Sequence, residues 1–108
     1  MPSYSKYDVI LVRYPFSDRS SSKVRPAVII NNPHSSQDVF VVPLTSRLSN
    51  LLVGEFVLND WNEAGLNVPS AVKRGLYTLH ETLIVKSIGR LSARDRQELQ
   101  NSLETWLN

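Results

Sequence analysis

The 108-residue chain contains no cysteine, which excludes disulfides and thiolate metal sites. It has only two histidines, His34 and His80, too few and too far apart in sequence to predict a metal cluster. No apolar run approaches the length of a membrane span, and residues 1–6 lack the apolar core of a signal peptide. From these absences we expect a cytoplasmic protein that uses neither a metal nor a cofactor.

Three further kinds of enzyme site are missing from the pattern. The four glycines are scattered, so the chain has no phosphate-binding glycine loop, and no serine lies in a Gly-x-Ser-x-Gly nucleophile elbow. The acidic residues are also scattered, and no carboxylate pair of the kind used by glycoside hydrolases stands out. These patterns disfavour nucleotide hydrolysis through a glycine loop and paired-carboxylate chemistry.

The positive charge is unevenly distributed along the chain. The net charge is only +2, which weakly favours a polyanionic partner. A solvated loop and a basic patch at one end of a sheet both explain cations placed close to strand ends, and charge alone does not decide between them. Five such cations lie in or beside the first two connections between predicted strands: Arg13, Arg19, Lys23, Arg25 and Arg47.

Short β-branched and aromatic runs dominate the first four fifths of the chain and predict strands. One domain is expected across residues 1–108. A run at 83–88 fits either a strand or a helix. The strands are predicted at 7–14, 25–30, 38–44, around 54–58, and within 68–78.

A helix is predicted at the C-terminal end, with Ser92 as its N-cap and Asp95 completing an approximate capping box. In the connection at 60–66, Gly65 is expected to take a left-handed conformation. Strands followed by one helix predict a mainly β fold, a small antiparallel barrel or curled sheet with the helix on one side. The helical face expected to pack on the sheet comprises Leu99, Leu103, Trp106 and Leu107.

Two neighbouring strands carry the main candidate site. If runs 25–30 and 38–45 are antiparallel, Arg25 at the start of the first lies beside Thr45 at the end of the second. A guanidinium offers a planar fork of donors to phosphate oxygens, and a hydroxyl beside it suits a phosphodiester. In RNA the 2′-hydroxyl supplies the nucleophile, so a protein needs only to stabilise the phosphorane and move protons. The alternative is a strand boundary, with the threonine satisfying nearby backbone groups.

Several segments together resemble a known family. They are DVILV at 8–12 with PFSD at 15–18, SKVRPAVI at 22–29, VPLTS at 42–46, DWNEAGL at 60–66, PS at 69–70, YTL at 77–79 and IGRLS at 88–92. In order and spacing, these segments resemble the PemK/MazF family of toxin endoribonucleases from bacterial toxin–antitoxin pairs. The resemblance covers nearly the whole chain.

The resemblance implies a small SH3-like β-barrel with a C-terminal helix, a fold shared with the gyrase-poisoning toxin CcdB. It implies a homodimer that cleaves single-stranded RNA at a short sequence without a metal, leaving a 2′,3′-cyclic phosphate and a 5′-hydroxyl. It also implies a cognate antitoxin that lays an acidic, partly disordered segment into the same groove.

Residue by residue, the family's catalytic arginine falls on Arg25 and its catalytic threonine on Thr45. Ser46 is a candidate for a further hydrogen bond to the RNA. The other cations near the two connections are candidate contacts to backbone phosphates, namely Arg13, Arg19, Lys23 and Arg47.

Three positions depart from the family pattern. Tyr7 stands where many relatives have glycine, residues 19–22 lack a loop glycine, and His80 stands where relatives often have aspartate. A missing glycine limits close approach of the backbone to phosphate or changes loop mobility. These departures leave Arg25 and Thr45 intact. A second function also stays open, that of a non-catalytic CcdB-like gyrase poison or a decayed toxin that only binds its antitoxin. The RNA recognition sequence is also not determined by these residues.

Overall fold

The computed structural model describes residues 4–13, 24–32 and 34–108. The expectation of a mainly β fold with a C-terminal helix is confirmed. The ambiguous run at 83–88 is a strand, preceded by a 3₁₀ helix at Glu81–Leu83. The elements are β1 (Asp8–Arg13), β2 (Val24–Ile29), β3 (Asp38–Thr45), β4 (Phe56–Val57), β5 (Ala71–Val72), β6 (Tyr77–His80), β7 (Ile84–Arg90) and α1 (Ala93–Leu107).

The sheet is antiparallel throughout the described residues, with the strand order β4-β5-β3-β2-β1-β7. Strand β6 also pairs with β3, along residues 38–41, whereas β5 pairs with residues 44–45 of the same strand. The run 68–78 therefore forms two strands rather than the single one predicted, because the chain leaves β3 after Val72 and rejoins it at Tyr77.

The sheet is curled, which is one of the two arrangements predicted from the residues, and it does not close into the barrel that the family resemblance implies. Among the described residues no ladder joins β6 to β7. The 3₁₀ helix between these strands turns the chain in place of a hairpin. Nδ1 of His80 accepts a hydrogen bond from the N–H of Thr82 and so caps this short helix.

Alternation of side chains along the strands divides the core into two clusters. Val9, Val28 and Val42 belong to the cluster that packs against α1, and Ile10 and Val41 belong to the cluster on the other face.

Three of the four predicted helix residues pack on the first cluster: Leu99 is fully buried and Leu103 and Trp106 are half-buried. Leu107 is 67% exposed, contrary to expectation. It is the last residue of α1 and lies farther around the helix from Leu99 than Leu103 and Trp106 do, at the margin of the apolar stripe.

The start of α1 holds the connection that precedes β5. The Oγ of Ser92 accepts a hydrogen bond from the N–H of Asp95 at 3.3 Å, which confirms the N-cap. The Asp95 carboxylate does not complete a capping box, because it is committed elsewhere. It is fully buried and accepts hydrogen bonds from the backbone and side-chain amides of Asn59 and from the N–H of Asp60, at 2.9–3.0 Å. Arg94 binds both carboxylate oxygens of Asp60 at 2.8 Å.

Two glycines bring this connection directly onto β7. Gly65 has φ +87°, the left-handed conformation predicted from the sequence. A Cβ at Gly65 would overlap the carbonyl of Ile88, and one at Gly89 would overlap the carbonyl of Ala64. Only paired glycines allow this backbone-to-backbone contact.

Tyr7 adopts a left-handed backbone conformation, which would favour the glycine that many relatives have at this position. Its φ is +74°, although left-handed backbone costs a non-glycine residue about 1–2 kcal/mol. Its N–H donates to the carbonyl of Ile29, and its carbonyl accepts from the N–H of Leu91. The half-buried ring packs on the helix-side cluster, with the cations of Lys6 and Arg96 at 5.3 and 5.9 Å from its centroid.

Candidate functional site

The structure places Arg25 and Thr45 side by side. The ladder between β2 and β3 pairs Ala27 with Pro43 and Val28 with Val42, and continuing this register sets Arg25 opposite Thr45. Directly opposed residues of antiparallel strands project from the same face of the sheet. The antiparallel arrangement predicted from the sequence therefore brings the guanidinium and the hydroxyl to one location.

Both residues line a groove of about 990 Å³ at this end of the sheet. Three of the described lining residues are cations, and none is a carboxylate. Such a surface attracts an anion without offering a competing negative charge. The polar and charged side chains of the lining include Arg25, Thr45, Ser46, Asn67, Lys73 and Lys86.

The geometry at Arg25 and Thr45 leaves hydrogen-bond donors available in the groove. Arg25 is exposed, and its guanidinium makes no salt bridge or side-chain hydrogen bond with any residue that the structure describes. The Oγ1 of Thr45 accepts a hydrogen bond from the N–H of Arg47 at 3.1 Å. Since that bond uses a lone pair of the hydroxyl, its O–H proton is left to donate to a ligand.

Lys73 and Tyr77 join this pair on the same face of the sheet. The N–H of Lys73 donates to the carbonyl of Pro43 at 2.9 Å, which sets Lys73 opposite Pro43, two residues from Thr45. Tyr77 pairs with Val41, two residues from Pro43 in the other direction. A cation and an aromatic ring thus flank the hydroxyl, and both line the groove.

The predicted basic patch is only partly in the groove. Arg25 of the patch lines the groove, as does the candidate RNA contact Ser46, whereas Arg13 and Arg47 are exposed and lie outside the described lining. Arg47 still contributes through its backbone N–H to Thr45. Arg19 and Lys23 fall outside the residues that the structure describes.

Lys86 is a groove cation that the sequence did not reveal. It pairs with Leu11 across the ladder between β1 and β7. The run that contains it was ambiguous between helix and strand, so the face on which Lys86 lies was not predictable. Tyr77 was missed as a groove residue for a related reason, since it starts a strand that was merged with the one before.

Two carboxylates outside the groove are held by hydrogen bonds. The backbone N–H of Arg74 and that of Leu52 donate to Glu55 and lower the pKa of its carboxyl group. The Arg94 side chain, through its hydrogen bonds, lowers the pKa of Asp60 to about 2. Glu55 thereby joins its own loop to residue 74, next to the groove residue Lys73, and Asp60 joins the connection before β5 to α1.

The histidines have structural partners. Nδ1 of His34 accepts a hydrogen bond from the N–H of Ser36, as Nδ1 of His80 does from Thr82. Within residues 4–13, 24–32 and 34–108, no group of three or more potential metal ligands is found. No helix in the described part of the chain is long and apolar enough to cross a membrane.

The sequence matches a family described as PemK-like, MazF-like toxin of type II toxin–antitoxin system, over residues 5–107. The protein belongs to this family. No curated protein matches the chain.

Solved toxins share the fold. MazF from Deinococcus radiodurans (form I) superposes with a TM-score of 0.78 at 16% identity, covering 99% of this chain and 98% of that one. The Mycobacterium tuberculosis toxin MazF-mt6 gives 0.70 at 21% identity, covering 93% and 95%. An endoribonuclease in complex with its cognate antitoxin, from a mycobacterial species, gives 0.75 at 15% identity, covering 99% and 95%. At these identities the likeness concerns the fold alone.

Proposed function

We propose that this toxin-family protein is a metal-independent endoribonuclease that cleaves single-stranded RNA, including mRNA, at a short sequence. The observation that carries the proposal is the placement of Arg25 opposite Thr45 in a groove lined by three cations and no described carboxylate. The family match supports the role of a toxin, and a structural neighbour described as an endoribonuclease supports the class of activity.

The reaction is an internal transfer at phosphorus. The 2′-oxygen forms a bond to the phosphorus as the bond from phosphorus to O5′ breaks. The 2′-hydroxyl gives its proton to water and O5′ takes a proton from water, so the step balances without a change in any side chain. The products are a 2′,3′-cyclic phosphate and a 5′-hydroxyl.

Arg25 and Thr45 suit the transition state of this reaction. The guanidinium of Arg25 binds the non-bridging oxygens and stabilises the charge of the phosphorane. Because an arginine is always protonated and is a poor base, it assists proton transfer by donating hydrogen bonds to the phosphate oxygens, not by giving up a proton. The O–H of Thr45 donates to the developing charge, and Ser46 adds a further hydrogen bond.

The antitoxin and a second copy of the chain are the further partners that we infer for this protein. We infer that a cognate antitoxin inhibits by laying an acidic segment over its cations, in line with the neighbour solved in complex with an antitoxin. We also infer a homodimer with RNA bound along its interface, acting in the cytoplasm where mRNA is found.

The test is cleavage of a long single-stranded RNA in EDTA, with both new ends mapped. We expect the wild-type protein to cleave at a short recurring sequence. We expect Arg25→Ala and Thr45→Val each to lower the rate by about 10²–10³-fold, the effect of removing one oxyanion donor. Thr78→Val is the matched control, because Thr78 is an exposed strand residue outside the groove lining.

Circular dichroism and thermal melts show whether each variant is folded. Full activity in folded Arg25→Ala would refute the assigned role. No cleavage by the wild-type protein at equimolar RNA, with DNA gyrase inhibited instead, would refute the endoribonuclease and favour the CcdB-like poison.

A further inference from the structure

The groove has a second part, roofed by residues 65–70, which we call the strap. The strap begins at Gly65, in contact with Ile88 of β7. It ends next to Ala71, which pairs with Thr45 of β3. Because β1 and β2 lie between β7 and β3 in the sheet, the strap crosses over both.

The strap covers a row of side chains on the sheet. Lys86 pairs with Leu11, and Leu11 pairs with Pro26, so all three project from the same face toward the strap. Leu11 and Pro26 are only half-buried. Val68 of the strap is 50% exposed and lines the same groove. Apolar surface is therefore left open in the groove that Arg25 and Thr45 also line.

Two polar side chains enter this apolar part, Asn67 from the strap and Lys86 from the sheet. Asn67 is exposed and makes no side-chain hydrogen bond with any described residue. The strap on either side of it is fixed. The N–H of Leu66 donates to the carbonyl of Trp61, and the Oγ of buried Ser70 donates to the carbonyl of Val68 at 3.0 Å. An amide with free donors and a free acceptor is thus held on a rigid support.

We propose that this second part of the groove binds a nucleobase adjacent to the scissile phosphate, and that Asn67 reads its edge while Lys86 contacts a neighbouring phosphate. The inference rests on the proposed endoribonuclease function. Single-stranded RNA is read through bases that are splayed out against apolar or aromatic surface and hydrogen-bonded along their edges. The amide of asparagine pairs with a base edge that presents a donor next to an acceptor.

An RNA base fits these residues better than an acidic peptide does. A carboxylate would engage Lys86 and would leave the apolar walls and the amide acceptor of Asn67 without a matching group. A base supplies a flat apolar face for the walls and donors for that acceptor.

The experiment compares cleavage of an RNA library randomised around the cut site by the wild-type protein, Asn67→Ala and Lys86→Ala. We expect Asn67→Ala to lose about tenfold or more of the discrimination at one position beside the cut while its preferences elsewhere persist. We expect Lys86→Ala to bind all sequences more weakly. The slope of its log affinity against log salt should fall by about 0.7, the value for one phosphate contact in a single strand.

Controls separate specificity from folding. Asn101→Ala removes an exposed amide on α1 outside the groove and should keep the wild-type preference. Lys86→Arg should restore the wild-type salt slope.

An unchanged preference at every position in Asn67→Ala, with a wild-type protein that cleaves RNA, overturns this inference alone. Weakened antitoxin binding in both variants, with RNA preference and salt slope unchanged, overturns it in favour of a peptide surface. A wild-type protein that cleaves no RNA refutes the proposed function and this inference with it.

Discussion

The buried carboxylate of Asp95 allows a direct test of how the connection that leads into the strap is held in place. Its Oδ1 accepts both hydrogen bonds from Asn59, and its Oδ2 accepts the one from the N–H of Asp60. Asp95→Asn keeps the shape of the side chain. Its amide oxygen retains the two bonds from Asn59, and its NH₂ group then faces the N–H of Asp60, so that two donors oppose each other without an acceptor.

The expected loss of stability follows from these contacts. A buried donor left without an acceptor costs about 1–3 kcal/mol, and hydrogen bonds to a neutral oxygen are weaker by about 1 kcal/mol than those to a carboxylate. Together these effects predict a decrease in the free energy of unfolding of about 2–4 kcal/mol for Asp95→Asn. For a domain of this size the melting temperature should fall by about 8–16 °C.

Urea denaturation followed by circular dichroism measures this change. Ser92→Ala is the comparison, since it removes only the N-cap of the same helix turn and should cost about 1 kcal/mol. In Asn59→Ala the Asp95 substitution should have a smaller effect, because the side-chain bond at Oδ1 is already lost. If Asp95→Asn destabilises by less than about 0.5 kcal/mol, or no more than Ser92→Ala, the carboxylate does not hold the connection as described.

Three further outcomes are expected. Gly65→Ala should destabilise by about 2 kcal/mol or more in urea melts, because the added methyl overlaps the Ile88 carbonyl at a left-handed backbone; a loss below 1 kcal/mol would disprove that contact. Tyr7→Gly should be more stable than Tyr7→Ala by about 1 kcal/mol in the same assay, because only glycine accepts this φ without strain, and equal stability would argue against it. Hydrogen bonds, first that from the N–H of Arg74, lower the pKa of Glu55 below its ordinary 4.5. The wild-type protein should therefore be more stable than Glu55→Gln above pH 4.5, and this advantage should vanish as the pH falls through the lowered pKa of Glu55. A difference in melting temperature that persists at low pH would contradict this.

The positions of Arg25 and Thr45 relative to each other were predictable because they require only that two consecutive strands pair antiparallel. Two antiparallel neighbours in sequence order suffice to set the start of one strand beside the end of the next, and Arg25 and Thr45 occupy those ends. The N-cap at Ser92 and the left-handed Gly65 were predictable for a similar reason, since each follows from local backbone chemistry.

The rest of the groove depends on long-range geometry that sequence patterns do not carry. The ladder between β1 and β7 shifts register twice, and these shifts decide on which face Lys86 lies. The edge of β3 is shared by β5 and β6. The run 68–78, predicted as one strand, therefore forms two strands that pair with different parts of β3. Asp95 fits a capping box by spacing, but its carboxylate is committed to Asn59, a residue 36 positions away.

The contacts of Tyr7 make the most favourable residue at position 7 depend on the residues around it. A change to glycine would relieve the backbone there but would strip an aromatic ring from the helix-side cluster and from the cations of Lys6 and Arg96. The benefit of either residue therefore depends on what its neighbours have become. Among related toxins, glycine and tyrosine at this position should each be accompanied by a distinct set of residues at positions 6 and 96, so that the exchange is historically contingent and difficult to reverse by one mutation.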